Sequence, residues 1–365
     1  MNERLKIAVN TGGGDAPGLN AVIYAVTMAA ERRGWEVYGI HTGYAGLLDT
    51  DQITRLTPEK VVGIVSLGGT ILGTTNKGDP FRMPVKNAVG DVEVRDVSAR
   101  VLSNFRRLGL DVLIAVGGDG SLRLANRFAG MGMPVIGVPK TIDNDLASTV
   151  ITFGFDTAVS TSTEAIDKLH STASAHERVM VVELMGRCAG WIALNSGISG
   201  SADVILIPEI PFKIDSVCNK IMENELHGKR YGIVVVAEGA TAEGGEVIHK
   251  GRGEEGRQEV LLGGIGEWVA REIHQRTGKD TRSLVLGHLQ RGGSPTTFDR
   301  LIALRFGAAA VRFIAEGRRN VMVALRPPDM VAVPLEEAAE KMKSVPLDSD
   351  SIITARDMGI SFGDG

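Results

Sequence analysis

One eight-residue stretch of the sequence concentrates side chains that can move a proton. Residues 138–145 read VPKTIDND and directly follow an apolar run, so two carboxylates, a hydroxyl and an ammonium lie at the end of a predicted strand. An extended backbone would direct Thr141, Asp143 and Asp145 to one side. A positioned carboxylate can accept the proton of an attacking hydroxyl, and we therefore interpret Asp143 as a candidate general base. For the stretch taken alone, a solvated turn without chemistry is the alternative.

Two glycine-rich segments lie where backbone amides could bind phosphate. Residues 12–18 read GGGDAPG between a predicted strand and a predicted helix, and residues 117–121 read GGDGS after another strand. Free N–H groups and the helix dipole attract phosphate at such positions. The first segment is not a Walker A loop, since Leu19 stands where that motif requires lysine, and it is not GxGxxG. A turn required only by chain geometry is the alternative for each segment.

Charged residues near these segments suggest how an anion would be held. Asp119 would repel a phosphate unless a cation bridged the two, so it is a candidate partner of Mg²⁺, directly or through water. Glu238 follows an apolar strand and could accept hydrogen bonds from sugar hydroxyls. Guanidinium groups bind phosphate bidentately, although a single arginine is more often a surface residue. Five candidate cations lie at or near predicted strand ends: Arg178, Arg187, Arg282, His288 and Arg291.

Composition restricts the class of protein. A chain of 365 residues predicts two domains or one large one. Forty basic and 44 acidic residues give a formal charge of −4, so we expect neither a nucleic acid nor a membrane as partner. Two cysteines, Cys188 and Cys218, are too few for a disulfide framework or a cysteine metal cluster. Because neither a signal peptide nor a long apolar span is evident, we expect a cytoplasmic protein.

Short β-branched runs alternate with amphipathic segments, which predicts an α/β fold around a parallel sheet. The predicted strands are 6–9, 37–40, 112–116, 135–138, 179–184, 204–207, 233–237 and 284–286. The predicted helices are 19–30, 97–108, 157–170, 189–198 and 265–276. Polar clusters follow six of the strands, and ligands bind at the carboxyl ends of strands in open sheets, so one crevice or two facing ones are expected. Segments 74–92 and 238–258 are expected to be the least structured, and residues beyond 348 show no clear pattern.

Seven segments taken together resemble the 6-phosphofructokinase family. In chain order they read GGGDAPGLNAVI, GYAGL, GGTILGT, GGDGS, PKTIDND, MGR and GHLQRGGSP, and the resemblance extends over about residues 5–325. It implies two Rossmann-like, three-layer α/β/α domains with largely parallel sheets and an active site in the cleft between them. It also implies a donor-binding domain at 1–154, completed by about 290–335, and a fructose 6-phosphate-binding domain at 155–289, with 336–365 as a candidate addition.

The resemblance implies transfer of a phosphoryl group from MgATP to the 1-hydroxyl of fructose 6-phosphate, a committed step of glycolysis. Asp143 is then the proton acceptor, flanked by Thr141 and Asp145, with Arg187 as a further catalytic residue and Asp119 on Mg²⁺. The implied donor-binding residues are Gly14, Lys77, Gly78, Gly117, Gly118, Asp119, Gly120 and Ser121. The implied substrate-binding residues are Thr141, Ile142, Asp143, Arg178, Met185, Gly186, Arg187, Glu238, Arg282, His288, Leu289, Gln290 and Arg291.

The resemblance also implies self-association. In the family, the positions matching Arg178 and Arg282 reach across from a neighbouring subunit, so a homodimer or homotetramer is expected. The chain departs from bacterial allosteric members at GGTILGTTNK, which lacks an arginine found there, and Lys77 can take over part of that electrostatic role. Three positions that carry effector-site arginines in those members are here Tyr24, Met28 and His170, so the resemblance does not support regulation at that site.

Two positions predict the phosphoryl donor in opposite directions. Pyrophosphate-dependent members tend to have GGDD, whose last carboxylate would collide with the α-phosphate and ribose of ATP, whereas Gly120 leaves this space open. They also have a lysine that would stabilise a pyrophosphate leaving group, and this chain has Lys140. A clash excludes a ligand, while one cation only adds favourable binding, so ATP is the expected donor. Alternatives are the pyrophosphate-dependent reaction, a non-catalytic sensor of sugar phosphate or nucleotide, and, more distantly, a lipid or NAD kinase.

Overall fold

A computed structural model describes residues 4–75, 78–86, 91–248 and 262–365 of the chain. In chain order its strands and α-helices are β1 (Lys6–Thr11), α1 (Leu19–Glu31), β2 (Glu36–Ile40), β3 (Ile53–Leu56), β4 (Met83–Lys86), β5 (Val92–Arg95), α2 (Ser98–Arg107), β6 (Val112–Gly117), α3 (Asp119–Gly130), β7 (Val135–Pro139), α4 (Phe155–His176), β8 (Val179–Leu184), α5 (Trp191–Ser199), β9 (Val204–Leu206), α6 (Ile214–Leu226), β10 (Gly232–Ala237), α7 (Ile265–Thr277), β11 (Thr281–Val285), α8 (Thr297–Ala315), β12 (Val321–Arg326), β13 (Asp329–Pro334), α9 (Leu335–Glu340) and α10 (Asp350–Asp357).

The larger sheet has seven strands in the order β13-β12-β7-β6-β1-β2-β3. The five central strands are parallel, and the edge strands β3 and β13 are antiparallel to their neighbours. Side chains of β1 alternate between the two faces: Ile7 and Val9 contact the core with α1 and α8, while Ala8 faces the core with α2, α3 and α9. Helices therefore cover both faces, which explains the nearly continuous apolar strands.

The smaller sheet has four parallel strands in the order β11-β8-β10-β9. Val182 and Leu184 of β8 face the core with α4, α5 and α10, while Val179 and Val181 face the core with α6 and α7. A separate two-stranded antiparallel sheet joins β4 to β5. The predicted α/β class, with two three-layer units and largely parallel sheets, is thus confirmed.

The elements that sequence periodicity did not predict include β3, β12, β13, α3, α6, α8 and α10. Helix α3 begins inside GGDGS, so its first turn has the sequence of a loop. Segment 74–92 contains β4, and residues beyond 348 contain α10, whose Ile352 and Ala355 are buried. Of the other segment expected to be least structured, residues 249–258 lie outside the described residues.

A reciprocal set of hydrogen bonds joins the N-termini of α4 and α8. Asp299 Oδ2 accepts from Thr157 N at 2.7 Å and from Thr157 Oγ1 at 2.6 Å. Thr296 Oγ1 donates to Asp156 Oδ2 at 2.6 Å. Asp299 thus caps a backbone N–H at the start of α4, and Thr296 N in turn donates to Thr157 Oγ1 at 3.1 Å, so a helix of the smaller sheet is fixed against one of the larger sheet. Burial raises the pKa of Asp299 to about 6, although the Thr157 donors act in the opposite direction.

We expect the cost of ionising Asp299 to appear in the pH dependence of stability. Its folded-state pKa is about 6, and the unfolded value is about 4, so protonation stabilises the fold below pH ~4 and this stabilisation is lost as pH rises through ~6. Relative to Asp299→Asn, the wild type should therefore lose about 2 kcal/mol of unfolding free energy between pH 4 and 7.

The measurement is denaturant unfolding of both proteins across this pH range. Asp167→Asn, a substitution at an exposed position of α4, is the control and should keep a constant difference from the wild type. A constant difference for Asp299→Asn as well would contradict the prediction.

Candidate active site

A cavity of about 540 Å³ lies where the carboxyl ends of strands from both sheets meet. Segments following β1, β6 and β7 of the larger sheet line it together with segments following β8, β10 and β11 of the smaller one. The six polar clusters that the sequence places after strands thus contribute to one crevice. Residues lining the cavity include Gly12, Gly13, Gly14, Gly78, Gly118, Asp119, Gly120, Ser121, Lys140, Thr141, Asp143, Met185, Arg187, Glu238, His288 and Arg291.

The triple glycine after β1 fits a tightly packed loop. Gly13 has a φ of +77°, and a Cβ at Gly12 would lie 2.7 Å from Ser121 Oγ. A Cβ at Gly14 would lie 2.8 Å from Arg291 Nη1, while Lys140 Nζ donates to the carbonyl oxygen of Gly14. The loop therefore brings its backbone close to two cationic side chains, an arrangement that larger residues would disrupt.

The second glycine segment forms the N-terminus of α3. The N-cap residue is Gly118, which has no side chain to form a capping bond. The first helical residues, Asp119, Gly120 and Ser121, line the cavity. A Cβ at Gly117 would lie 2.2 Å from Ser121 Cβ, so glycine is required where β6 turns into the helix. The positive end of the helix dipole thus faces the cavity, as in anion-binding sites.

Asp119 forms ion pairs with two arginines. Its Oδ1 lies 3.3 Å from Arg187 Nη1, and its Oδ2 lies 3.0 Å from Arg123 Nη2. Burial raises the pKa of Asp119, but the guanidinium groups of Arg187 and then Arg123 outweigh this effect and leave the pKa below its usual range. The carboxylate is therefore ionised at neutral pH and suited to a divalent cation.

The loop after β7 places Asp143 at the cavity and Asp145 behind it. Asp143 N donates to Thr141 Oγ1 at 3.0 Å, and Asn144 adopts the left-handed conformation with φ +51°. This turn interrupts the extended run expected from the sequence, so Thr141 and Asp143 line the cavity whereas Asp145 is absent from its lining. Within the described part of the chain, Asp143 Oδ1 and both carboxylate oxygens of Asp145 are buried without hydrogen-bond partners.

Neighbouring acids act electrostatically on the buried Asp145. Burial is the main cause that raises the pKa of Asp145 to about 7, and the charges of Asp143 and Asp119 act in the same direction. Like charges this close resist simultaneous ionisation, so the group behind the cavity tends to hold a proton. Asp143, which contacts the cavity, is the better placed of the pair to accept a proton from a bound hydroxyl.

The MGR segment after β8 spans the cavity. Arg187 has a φ of +53°, and its N–H donates to Glu238 Oε1 at 3.1 Å. Burial raises the pKa of Glu238, and the bond from Arg187 N partly opposes this. Since the Arg187 side chain reaches Asp119, it connects the smaller sheet to the first turn of α3.

The turn Gly287–Arg291 after β11 contributes His288 and Arg291 to the lining. The side chain of Gln290, predicted to bind substrate, is fully buried and accepts from Ser162 Oγ at 3.2 Å, so it holds the turn from beneath. Leu289 is 67% exposed.

Arg178 and Arg282 both form ion pairs with Asp280. The predicted site residues absent from the cavity lining are Gly117, Ile142, Asp145, Arg178, Gly186, Arg282, Leu289 and Gln290, and Lys77 lies outside the described residues.

Sequence reasoning missed residues that shape the cavity. Glu183 lines it and accepts hydrogen bonds from the N–H groups of Gly264 and Gly266 at the start of α7. An acid within an apolar strand, VMVVEL, is a sequence signal that could have indicated Glu183.

Lys343 is a second residue that the sequence analysis missed. It donates to Asn144 Oδ1 at 3.0 Å, and no sequence motif includes it. Burial lowers the pKa of Lys343 to about 8, while the charge of Asp145 has the opposite effect.

Comparisons with known proteins identify the family. The family model "Phosphofructokinase" matches residues 6–314. A curated relative from Chloroflexus aurantiacus, named ATP-dependent 6-phosphofructokinase, is 50% identical over 365 residues, covering 100% of this chain and 99% of the relative. The chain belongs to the phosphofructokinase family.

Solved structures agree with this assignment. Phosphofructokinase from Pichia pastoris in the T-state matches with a TM-score of 0.80 at 30% identity, covering 100% of this chain and 37% of that one. A pyrophosphate-dependent phosphofructokinase from Marinobacter aquaeolei matches with a TM-score of 0.79 at 22% identity, covering 98% and 92%, and this likeness concerns the fold alone. Across the described ranges, none of the helices has the length and apolar character needed to cross a membrane.

The close approach of Gly117 to Ser121 within the second glycine segment predicts the effect of adding one methyl group. Gly117→Ala should destabilise the fold by about 1 to 3 kcal/mol, because its Cβ must displace Ser121 at the start of α3. At Gly130, at the other end of the same helix, a Cβ would enter open space, so Gly130→Ala should be neutral or stabilising by up to about 1 kcal/mol. Denaturant unfolding of both variants measures the difference, and equal stabilities would contradict the packing argument.

Proposed function

We propose that this chain transfers the γ-phosphoryl group of MgATP to the 1-hydroxyl of D-fructose 6-phosphate, giving fructose 1,6-bisphosphate and ADP. The observation that carries the proposal is the convergence in one cavity of the glycine loop, the N-terminus of α3 and the buried Asp143. The named ATP-dependent relatives support the same reaction. Phosphoryl transfer needs anion-binding groups on one side and a positioned base on the other, and both are present.

We propose that the larger sheet holds the donor. Residues 1–154 with about 290–335 would form this domain, which agrees with strands drawn from 6–139 and 321–334. The donor phosphates would lie against the backbone of Gly14 and the first turn of α3, with Ser121 and Gly78 nearby. Amides at a helix N-terminus hold phosphate without any need for side-chain rearrangement.

We propose that the smaller sheet, within residues 155–289, holds fructose 6-phosphate. Glu238 and Met185 would face the sugar, and His288 and Arg291 would contact its phosphate, since all four line the cavity. Residues 336–365 would belong partly to this domain, a placement supported by the buried Ile352 in its core. Asp143 would accept the proton of the 1-hydroxyl as the oxygen attacks phosphorus.

The residues also fit a magnesium ion that arrives with the nucleotide. Asp119 is ionised and lines the cavity, and Asp143 Oδ1 is a buried oxygen without a partner in the described ranges. Those ranges contain no group of three or more histidine, cysteine or acidic side chains that could hold a metal ion. Mg²⁺ usually binds through one or two carboxylates of the protein together with phosphates of the substrate. We propose Asp119 as the protein ligand, directly or through water; bound Mg²⁺ would neutralise charge on the phosphates. Arg187 would add a second positive charge beside it.

ATP is the proposed donor and pyrophosphate the alternative. Gly120 is the second residue of α3 and lines the cavity, so we expect an added side chain there to narrow the proposed donor site. Lys140 is almost fully buried, and its contact with the carbonyl oxygen of Gly14 supports a role in holding the glycine loop. An ammonium used in this way is compatible with either donor.

We propose a homodimer or homotetramer in the cytoplasm. Arg178 and Arg282 lie outside this chain's cavity, as expected if they serve the site of a neighbouring subunit. Arg282 lies on β11, an edge strand whose Leu284 and Val285 are exposed and available for burial by a second copy.

The assay couples formation of fructose 1,6-bisphosphate to NADH oxidation, with ATP or pyrophosphate as donor. Gly120→Asp should lower kcat/KM for ATP by about 10²-fold or more, because the carboxylate would repel the α-phosphate and clash with the ribose. Gly120→Ala is the control, since it adds a methyl group without charge and should retain most ATP activity. Unchanged ATP kinetics in Gly120→Asp would refute the steric argument, and wild-type activity with pyrophosphate alone would refute the donor assignment.

Asp143 is tested by removing its carboxylate. Asp143→Ser should cut kcat by about 10² to 10⁴ while leaving KM for fructose 6-phosphate roughly unchanged, as expected for loss of a general base. Asp167→Ser, at the exposed position on α4, should match the wild type. Near-normal turnover of Asp143→Ser would require a different base.

A further inference from the structure

A segment near the C-terminus, residues 341–345, runs alongside the loop that carries the proposed base. Lys343 N donates to Asp145 O at 2.7 Å, and Ala147 N donates to Lys341 O at 3.3 Å. These bonds form a short antiparallel pairing between residues about two hundred positions apart in the chain. The backbone on the C-terminal side of Asp143 is thus held by a segment outside every motif of the sequence.

The Lys343 side chain strengthens this attachment. Its Nζ donates to Asn144 Oδ1 at 3.0 Å, Thr149 O at 3.2 Å and Val150 O at 2.9 Å, which uses all three donors of the ammonium. Asn144 is the left-handed residue between the two buried acids, and its Oδ1 also accepts from Thr152 N at 3.2 Å. A non-glycine residue in this conformation needs support from its surroundings, and Lys343 supplies part of it.

The same segment is fixed to the smaller sheet. Trp191 Nε1 donates to Lys343 O at 3.0 Å, and the Lys343 ammonium lies 5.4 Å from the centroid of the Trp191 ring. Val345 N donates to Glu209 Oε1 at 2.8 Å, and Glu209 also accepts from Gly190 N. Trp191 is the first residue of α5, four positions after Arg187. The segment therefore joins the loop of Asp143 to the chain that follows Arg187.

We propose that Lys343 is a positioning residue for phosphoryl transfer: through Asn144 and Asp145 O it fixes where Asp143 meets the cavity, and through Trp191 it sets that loop relative to Arg187. The inference rests on the proposed function, because the geometry it maintains is that of the proposed base. Lys343 itself is absent from the cavity lining, so it acts through these neighbours and not on the substrate.

The test compares Lys343→Met with Lys341→Met. Methionine matches the lysine side chain up to Cε and removes the charged amino group with its donors. Lys341 is exposed and contributes to the pairing through its backbone carbonyl. Lys343→Met should lower kcat about 10- to 100-fold, because small displacements of a reacting group cost this much. KM for ATP should stay within about twofold, since the donor loops are not attached to Lys343. Lys341→Met should match the wild type.

Hydrogen–deuterium exchange gives a readout that does not depend on turnover. Peptides covering 143–152 should exchange faster in Lys343→Met than in the wild type or Lys341→Met, whereas peptides of β1 and β6 should be unchanged. Lys343→Arg, which retains the charge and donors, should recover part of kcat. Trp191→Phe keeps an aromatic ring, removes the bond to Lys343 O, and should lower kcat in the same direction if Lys343→Met proves too unstable to purify.

The outcomes separate this inference from the proposed function. A wild type that phosphorylates fructose 6-phosphate with neither donor overturns the proposed function and, with it, this inference. An active wild type whose kcat equals that of both Lys343→Met and Trp191→Phe overturns the inference alone. A Lys343→Met variant that raises KM for ATP as much as it lowers kcat also overturns it, since that pattern indicates general loosening of the fold.

Discussion

Mutual repulsion of buried carboxylates is the constraint around which this site is built. Asp119, Asp143 and Asp145 are all nearly inaccessible to solvent, and burial, followed by the charges of Asp143 and Asp119, raises the pKa of Asp145. The proposed substrates are themselves anions, so they would add to the repulsion. Arg187 and the positive end of α3 offset part of this charge in the protein itself. The remaining imbalance would favour the proposed binding of Mg²⁺ together with the donor.

The two sheets meet at this charged centre through side chains that serve both of them. Arg187 comes from the end of a strand in the smaller sheet and reaches the first turn of α3 over the larger one. Asp299 also joins the two sheets, since it links α4 to α8 at a position away from the proposed active site. Because polar bonds, and not only apolar packing, connect the two halves, their relative position depends on a few directional contacts.

Much of the fold could be predicted because its signals are local. Buried parallel strands such as 179–184 are short β-branched runs, and the structure has β8 at the same residues. Helix α4 extends to His176, beyond the predicted end at 170, because its last residues are polar and continue the helix without an apolar period. Helix α3 was missed because its first turn consists of glycine-rich residues, which have the sequence of a loop. Local pattern therefore succeeded where apolar packing decides the structure and failed where polar or glycine-rich residues continue or begin a helix.

The site shows the same division. Sequence motifs indicated residues that the structure places around the cavity, such as Asp143 and Arg187, because each follows a strand end. They did not distinguish Gln290, which lies beneath its turn, since a one-residue step within a 3₁₀ turn changes which way a side chain points. No sequence motif could indicate Lys343, because its hydrogen-bond partners around Asn144 lie about two hundred residues away along the chain. Residue types predict chemistry, but long-range contacts determine which of them take part.

The order of strands has a consequence for how the chain reaches this structure. The smaller sheet draws its strands from one continuous region, 179–285, whereas the larger sheet pairs β7 with β12 across a gap of more than 180 residues, as in Ile136 with Val321. Closing so long a loop is entropically costly and waits for the far end of the chain. During synthesis, the smaller sheet can therefore form while the larger one still lacks two of its strands. The segment that steadies Asn144 emerges later still, so the site is among the last parts of the molecule to be completed.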